Sequence, residues 1–260
     1  MSSSELDAFA AARARLGLVA LLVALSALAW WSTIRAMAGM GASPGTELGT
    51  LGWFVGVWVV MMAAMMLPAV SPLVALYARM TRQRGLHRPL AFTSGYLIVW
   101  GATGIGAYGL YALGRHALGT QLAWHAGGRW LAGGLLSVAA VYELTPLKDV
   151  CLGKCRSPVG FLIGTWRDGV RGAFAMGSRH AAWCIGCCWA LMIALFALGV
   201  MSILWMAVVA GLITIEKVLP WRRVAVWSTS LLLLALAVGV LASPGSVPGF
   251  IIPNAGMAGM

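Results

Sequence analysis

Charge is scarce in this sequence. Only 10% of its 260 residues are charged, and acidic side chains are fewest, 7 against 18 Lys and Arg. A soluble domain carries about 25% charged residues. A chain that is 61% hydrophobic cannot cover itself with polar surface, so lipid is its expected solvent. Other absences narrow the chemistry. There is no glycine-rich phosphate loop, so ATP-driven pumping by this chain alone is not expected. No Ser/His/Asp arrangement and no pair of catalytic carboxylates is visible, which disfavours hydrolysis and leans the reading away from an enzyme. No basic stretch is interleaved with exposed aromatics, so nucleic acid is not an expected partner.

What the chain has in abundance is apolar runs. About 20 apolar residues cross the hydrocarbon core of a bilayer as a helix. The runs predict an all-α, polytopic bundle of about seven spans in one integral membrane domain over residues 1–260. The spans are expected at Leu16 to Met37, Leu51 to Tyr77, Pro89 to Leu113, Trp130 to Leu147, Ala181 to Gly199, Ser202 to Leu219 and Val224 to Leu241. Trp30 and Trp31 fit an interfacial anchor, and the first run is too long for a signal peptide. Residues 148–180 read as a cytoplasmic-face segment. Within it Pro158 to Arg179 mixes Phe161, Trp166 and Phe174 with basic residues, which predicts an amphipathic interfacial helix. The tail from Ser243 is rich in Gly and Pro and reads as irregular. Gly52 and Gly56 have the spacing of a helix-contact motif.

Charge gives the orientation. With the N-terminus in the cytoplasm, the inner segments hold Arg13, Arg15, Arg79, Arg82, Arg84, Arg88, the basic residues from Lys148 to Arg179, Lys217, Arg222 and Arg223. Only Arg35, Arg115 and Arg129 fall outside. Positive segments are costly to translocate against the membrane potential, so this split predicts a cytoplasmic N-terminus in a bacterial inner membrane.

All five cysteines lie between positions 151 and 188. Cys151 and Cys155 follow the fourth span, and Cys184, Cys187 and Cys188 open the fifth. Thiols at a cytoplasmic face stay reduced, which favours metal binding over disulfides. On a helix, residues three and four apart share a face. The pattern H-x3-C-x2-C-C therefore sets His180 on one stripe with Cys184, Cys187 and Cys188, and Cys151 and Cys155 share another. Thiolates suit soft ions: Cu(I) is favoured and zinc comes second. Each Cys alone is also a good packing residue, and His180 alone fits an interfacial residue beside Arg179.

Met61, Met62, Met65 and Met66 form two i,i+4 pairs just before Pro68 and Pro72. Thioethers bind Cu(I), although Met also fills gaps between helices. Two carboxylates fall within spans, where charge is costly. Glu216 sits beside Lys217, so an ion pair between them is the plain alternative to metal binding. Glu143 is a candidate ligand, proton acceptor or partner of Lys148. Asp168, His87, His116 and His125 read as surface or loop residues.

The segments MMAAMMLP, YELTPLKDVCLGKCRSP and GCCWALM, followed by WM and EK, resemble a bacterial family described as predicted metal-binding integral membrane proteins, domain of unknown function 2182. The resemblance implies that Met61, Met62, Met65, Met66, Glu143, Cys151, Cys155, Cys184, Cys187, Cys188 and Glu216 match the family's motif positions. The expected role is metal transport, handling or delivery, with a metallochaperone or another membrane subunit as partner. The alternatives are a membrane thiol/disulfide redox protein and an assembly subunit with a structural metal clamp.

Overall fold

A computed structural model of the chain describes residues 3–37, 48–81, 85–118, 127–199 and 202–247. Arg82, Arg84, His125 and the tail beyond Val247 lie outside the described residues. Among those described, the chain is all-helical and carries no strand. The helices are α1 (Ser3–Met37), α2 (Leu51–Met80), α3 (His87–Leu118), α4 (Arg129–Glu143), α5 (Pro146–Arg156), α6 (Pro158–Thr165), α7 (Gly169–Leu198), α8 (Ile203–Val218) and α9 (Arg222–Ala242), followed by a 3-10 turn at Pro244–Ser246.

The helices α2, α3, α7 and α9 are long and apolar enough to cross a membrane. The pair α4 and α5 also passes if it is one span broken by a 66° bend. Within the 35-residue α1 the described residues include the apolar stretch Ala20–Ala36, and α8 has 16 residues.

Two prolines stand inside α2 without ending it. A proline at position i leaves the carbonyl of residue i−4 without its helical donor. Pro68 frees the carbonyl of Ala64, and the Ser26 hydroxyl of α1 donates to it at 2.7 Å. Pro72 frees the carbonyl of Pro68, and the Ser71 hydroxyl donates to it at 2.9 Å. Neighbouring hydroxyls thus replace both missing amide bonds, as a dry environment requires.

Helices α3 and α7 make the most intimate contact. A methyl group at Gly177 would collide with the Phe92 carbonyl, and one at Gly95 with the Phe174 carbonyl. Small residues let the two backbones touch. Gly52 and Gly56, expected in such a role, have open space where a Cβ would stand. Within this chain, therefore, neither glycine marks a close helix contact.

The segment expected as one interfacial helix is divided. Pro158, at the first turn of α6, fits its missing N–H. After Thr165 the chain breaks, Gly169 takes φ 81°, and α7 then runs unbroken into the region of the cysteines. His87 opens α3 and His116 lies in its last turn, so both are helix-end residues and not loop residues. Asp168 approaches the Arg88 guanidinium at 3.9 Å.

Candidate metal centre

The start of α5 fixes where its cysteines point. Thr145 caps the helix by accepting from the Lys148 amide at 3.4 Å, Pro146 fills the first turn, and Asp149 adds a carboxylate at the positive end. The bend before Pro146 turns α5 against α7. Cys155, one turn after Cys151, then reaches α7, and its sulfur lies 3.7 Å from Cys187 Sγ.

On α7 the i, i+3, i+4 spacing gathers three sulfurs. Cys184, Cys187 and Cys188 are buried, and their Sγ atoms all lie within 4.8 Å of one another. Cys184 and Cys188 sulfurs are 4.0 Å apart. For metal–sulfur bonds of ~2.3 Å, tetrahedral ligands stand about 3.8 Å apart and trigonal ligands about 4.0 Å apart. The thiol spacings therefore match what one ion needs, with small rotamer changes. All five cysteines are free. The Cys187 and Cys188 thiols donate to the Cys184 carbonyl at 3.1 and 2.8 Å, which parks them on their own helix.

Cys184 is the electrostatic centre of the group. Its sulfur lies 3.0 Å from the Tyr96 hydroxyl of α3 and 3.0 Å from the Lys217 ammonium of α8. No carboxylate among the described residues is paired with Lys217. An ammonium held in a poorly hydrated place needs an anion, and the Cys184 sulfur is the partner provided. Four helices, α3, α5, α7 and α8, thus supply groups to one spot. Neither Tyr96 nor Lys217 was singled out for this spot in the sequence. The alternative of a Glu216–Lys217 ion pair is not what forms, because consecutive helical residues point about 100° apart and serve different neighbours.

The remaining sequence candidates take other positions. Cys151 is buried on the far side of Gly186, where an added Cβ would stand 2.7 Å from its sulfur. It is outside the group of converging thiols. His180 is buried, with its ring at 4.9 Å from Phe161, 6.0 Å from Tyr96 and 6.3 Å from Phe92. Its Nδ1 has no hydrogen-bond partner, and its nitrogens are not among the converging ligand atoms. It is therefore a core residue one turn from Cys184. Met61, Met62, Met65 and Met66 are fully buried in α2.

The carboxylates of Glu143 and Glu216 meet at Lys148, which bonds both, the second at 2.7 Å. This fits the reading of Glu143 as a partner of Lys148, and it replaces Lys217 as the partner of Glu216. Arg156 donates to the carbonyls of Glu216 and Leu219, closing the C-terminal end of α8.

A cavity of about 470 Å³ opens between α5, α6 and α7. Lys154, Phe161, Arg179 and Trp183 are in its wall. Lys154 and Trp183 adjoin Cys155 and Cys184 in the sequence, and no cysteine is among the lining residues.

No curated protein and no solved structure matches the chain. A family model described as PpoB2: Copper chaperone matches residues 55–240. The matched region holds every cysteine, the four methionines of α2, and both Tyr96 and Lys217. The buried thiol group and the extent of this match lead to one assignment: the chain belongs to the PpoB2 copper chaperone family.

Proposed function

We propose that this protein is a membrane-embedded handler of Cu(I), which is its cargo. The observation that carries the reading is the meeting of Cys155 from α5 with the Cys184, Cys187 and Cys188 group of α7. Membership of a copper chaperone family adds to it. Soft thiolates prefer Cu(I) to hard cations. Lys217 and Tyr96 balance the charge that builds up when thiols lose their protons.

In this reading the cargo arrives from the side of the cavity bearing Lys154 and Arg179, at the cytoplasmic face of a bacterial inner membrane. A soluble metal carrier or a neighbouring membrane subunit docks there. Met61, Met62, Met65 and Met66 form a weaker thioether relay deeper in the bundle. Passage needs sites that bind and also let go, and thioethers beside thiolates make such a gradient.

The test is an anaerobic Cu(I) titration of the purified protein against a competing chelator, with zinc in parallel. One Cu(I) per chain is expected, bound more tightly than zinc, and lost when Cys184, Cys187 and Cys188 are changed to Ser. Unchanged copper loading in that variant would end this reading.

The 3.7 Å separation of Cys155 and Cys187 also favours a second reading, a thiol/disulfide protein. Redox-dependent thiol labelling separates the two. A reversible Cys155–Cys187 disulfide with no copper retention would support the second.

A further inference from the structure

The buried ion cluster near the thiols has an unbalanced charge. Glu143, Lys148 and Glu216 come from α4, α5 and α8 and are 2%, 0% and 2% exposed. Two carboxylates against one ammonium leave one negative charge over. The surrounding charged and titratable groups are engaged elsewhere. Arg156 serves the carbonyls of Glu216 and Leu219, Arg222 pairs with Asp149, and Lys217 turns to Cys184. Tyr142 donates to the Gly186 carbonyl, and Cys151 faces Gly186. Among the described residues, the cation paired with either carboxylate is Lys148.

A second observation points the same way. Glu143 Oε1 and Glu216 Oε1 are buried and have no hydrogen-bond partner. The two carboxyl groups meet at one ammonium, since both bond Lys148 Nζ. Buried acceptors without donors are costly. Two like charges this close in a dry site do not both persist, and the usual resolution is one shared proton. A proton on either carboxyl supplies a donor for the other and brings the triad to neutrality. A hard metal cation fits worse, because it demands six or more oxygens and this site offers two free ones.

We propose that Glu143 and Glu216 hold one proton between them at neutral pH, making the Glu143–Lys148–Glu216 triad a buried proton-binding site distinct from the thiol centre. The last turn of α8 joins the two, since Glu216 belongs to the triad and Lys217 to Cys184. The proton site stands whether or not the thiols carry copper.

The test is infrared spectroscopy of the full chain in lipid at pH 7, before and after exchange into D2O. A protonated carboxylic C=O band is expected, shifted by deuterium. It is lost in Glu143→Gln and in Glu216→Gln, because each leaves a single carboxylate against Lys148. In Lys148→Met the band grows about twofold, since both carboxyls then lack a cation. Cys184→Ser keeps the band. Absence of any acid band in the unaltered chain at pH 7 would overturn the proposal, and so would a band that both Gln variants leave untouched. The measurement on the unaltered chain decides the matter even if a variant does not fold.

Discussion

Lys217 Nζ stands 3.0 Å from Cys184 Sγ, and this contact ties the last turn of α8 to the middle of α7. The ammonium has no carboxylate partner among the described residues, so the sulfur is its counter-charge.

Lys217→Met therefore removes a charge-assisted contact from the centre of the thiol group. Such contacts contribute about 1.5–3 kcal/mol, so Cu(I) affinity is expected to fall by roughly 10- to 100-fold. Chelator competition measures it. An unchanged affinity would mean that Lys217 plays no part in holding the cargo.

Cys155 and Cys151 separate cleanly. Cys155 reaches the Cys187 sulfur at 3.7 Å, whereas the Cys151 sulfur faces the backbone at Gly186. Cys155→Ser is expected to weaken Cu(I) binding by about tenfold or more, a cost of ~1.4 kcal/mol. Cys151→Ser is expected to leave it within about threefold. Equal losses from the two changes would argue against the geometry described.

The Ser26 hydroxyl covers the Ala64 carbonyl that Pro68 leaves open. Ser26→Ala strands that buried acceptor, at a cost of about 1–3 kcal/mol. Thermal unfolding in detergent should show a lower midpoint for Ser26→Ala. The double change Ser26→Ala, Pro68→Ala restores the helical N–H and should recover most of the loss.

Gly177 lets α3 and α7 touch. Gly177→Ala drives a methyl into the Phe92 carbonyl and is expected to cost about 1–3 kcal/mol, as overpacking does. It should also loosen Tyr96 from Cys184, since the two belong to these helices. Gly211→Ala is the control: open space surrounds that position, and alanine favours a helix over glycine by about 1 kcal/mol. Thermal midpoints should move in opposite directions.

The helical class and the stripe of Cys184, Cys187 and Cys188 were legible in the sequence, because apolar run length and i, i+3, i+4 spacing are local properties. The pairing of Glu143 with Lys148 was within reach for the same reason, being five residues apart. The rest depended on where the chain turns. The 66° bend between α4 and α5 lays α5 along α7, where Cys155 meets the sulfur of Cys187 and Cys151 meets Gly186. Tyr96 is 88 residues from Cys184, and Glu216 is 68 from Lys148, so neither contact leaves a local trace. The Glu216–Lys217 neighbourhood misled, because adjacency in sequence is not adjacency on a helix face. His180 shared the spacing of a ligand but is enclosed by Phe92, Tyr96 and Phe161.

The most direct measurement is copper K-edge X-ray absorption of the Cu(I)-loaded protein, in the unaltered chain and with Cys184, Cys187 and Cys188 changed to Ser. A first shell of two to four sulfurs at ~2.3 Å, abolished in the variant, is the predicted result. A shell dominated by nitrogen or oxygen, or a sulfur shell that survives the variant, would contradict the assignment of these thiols as the copper site.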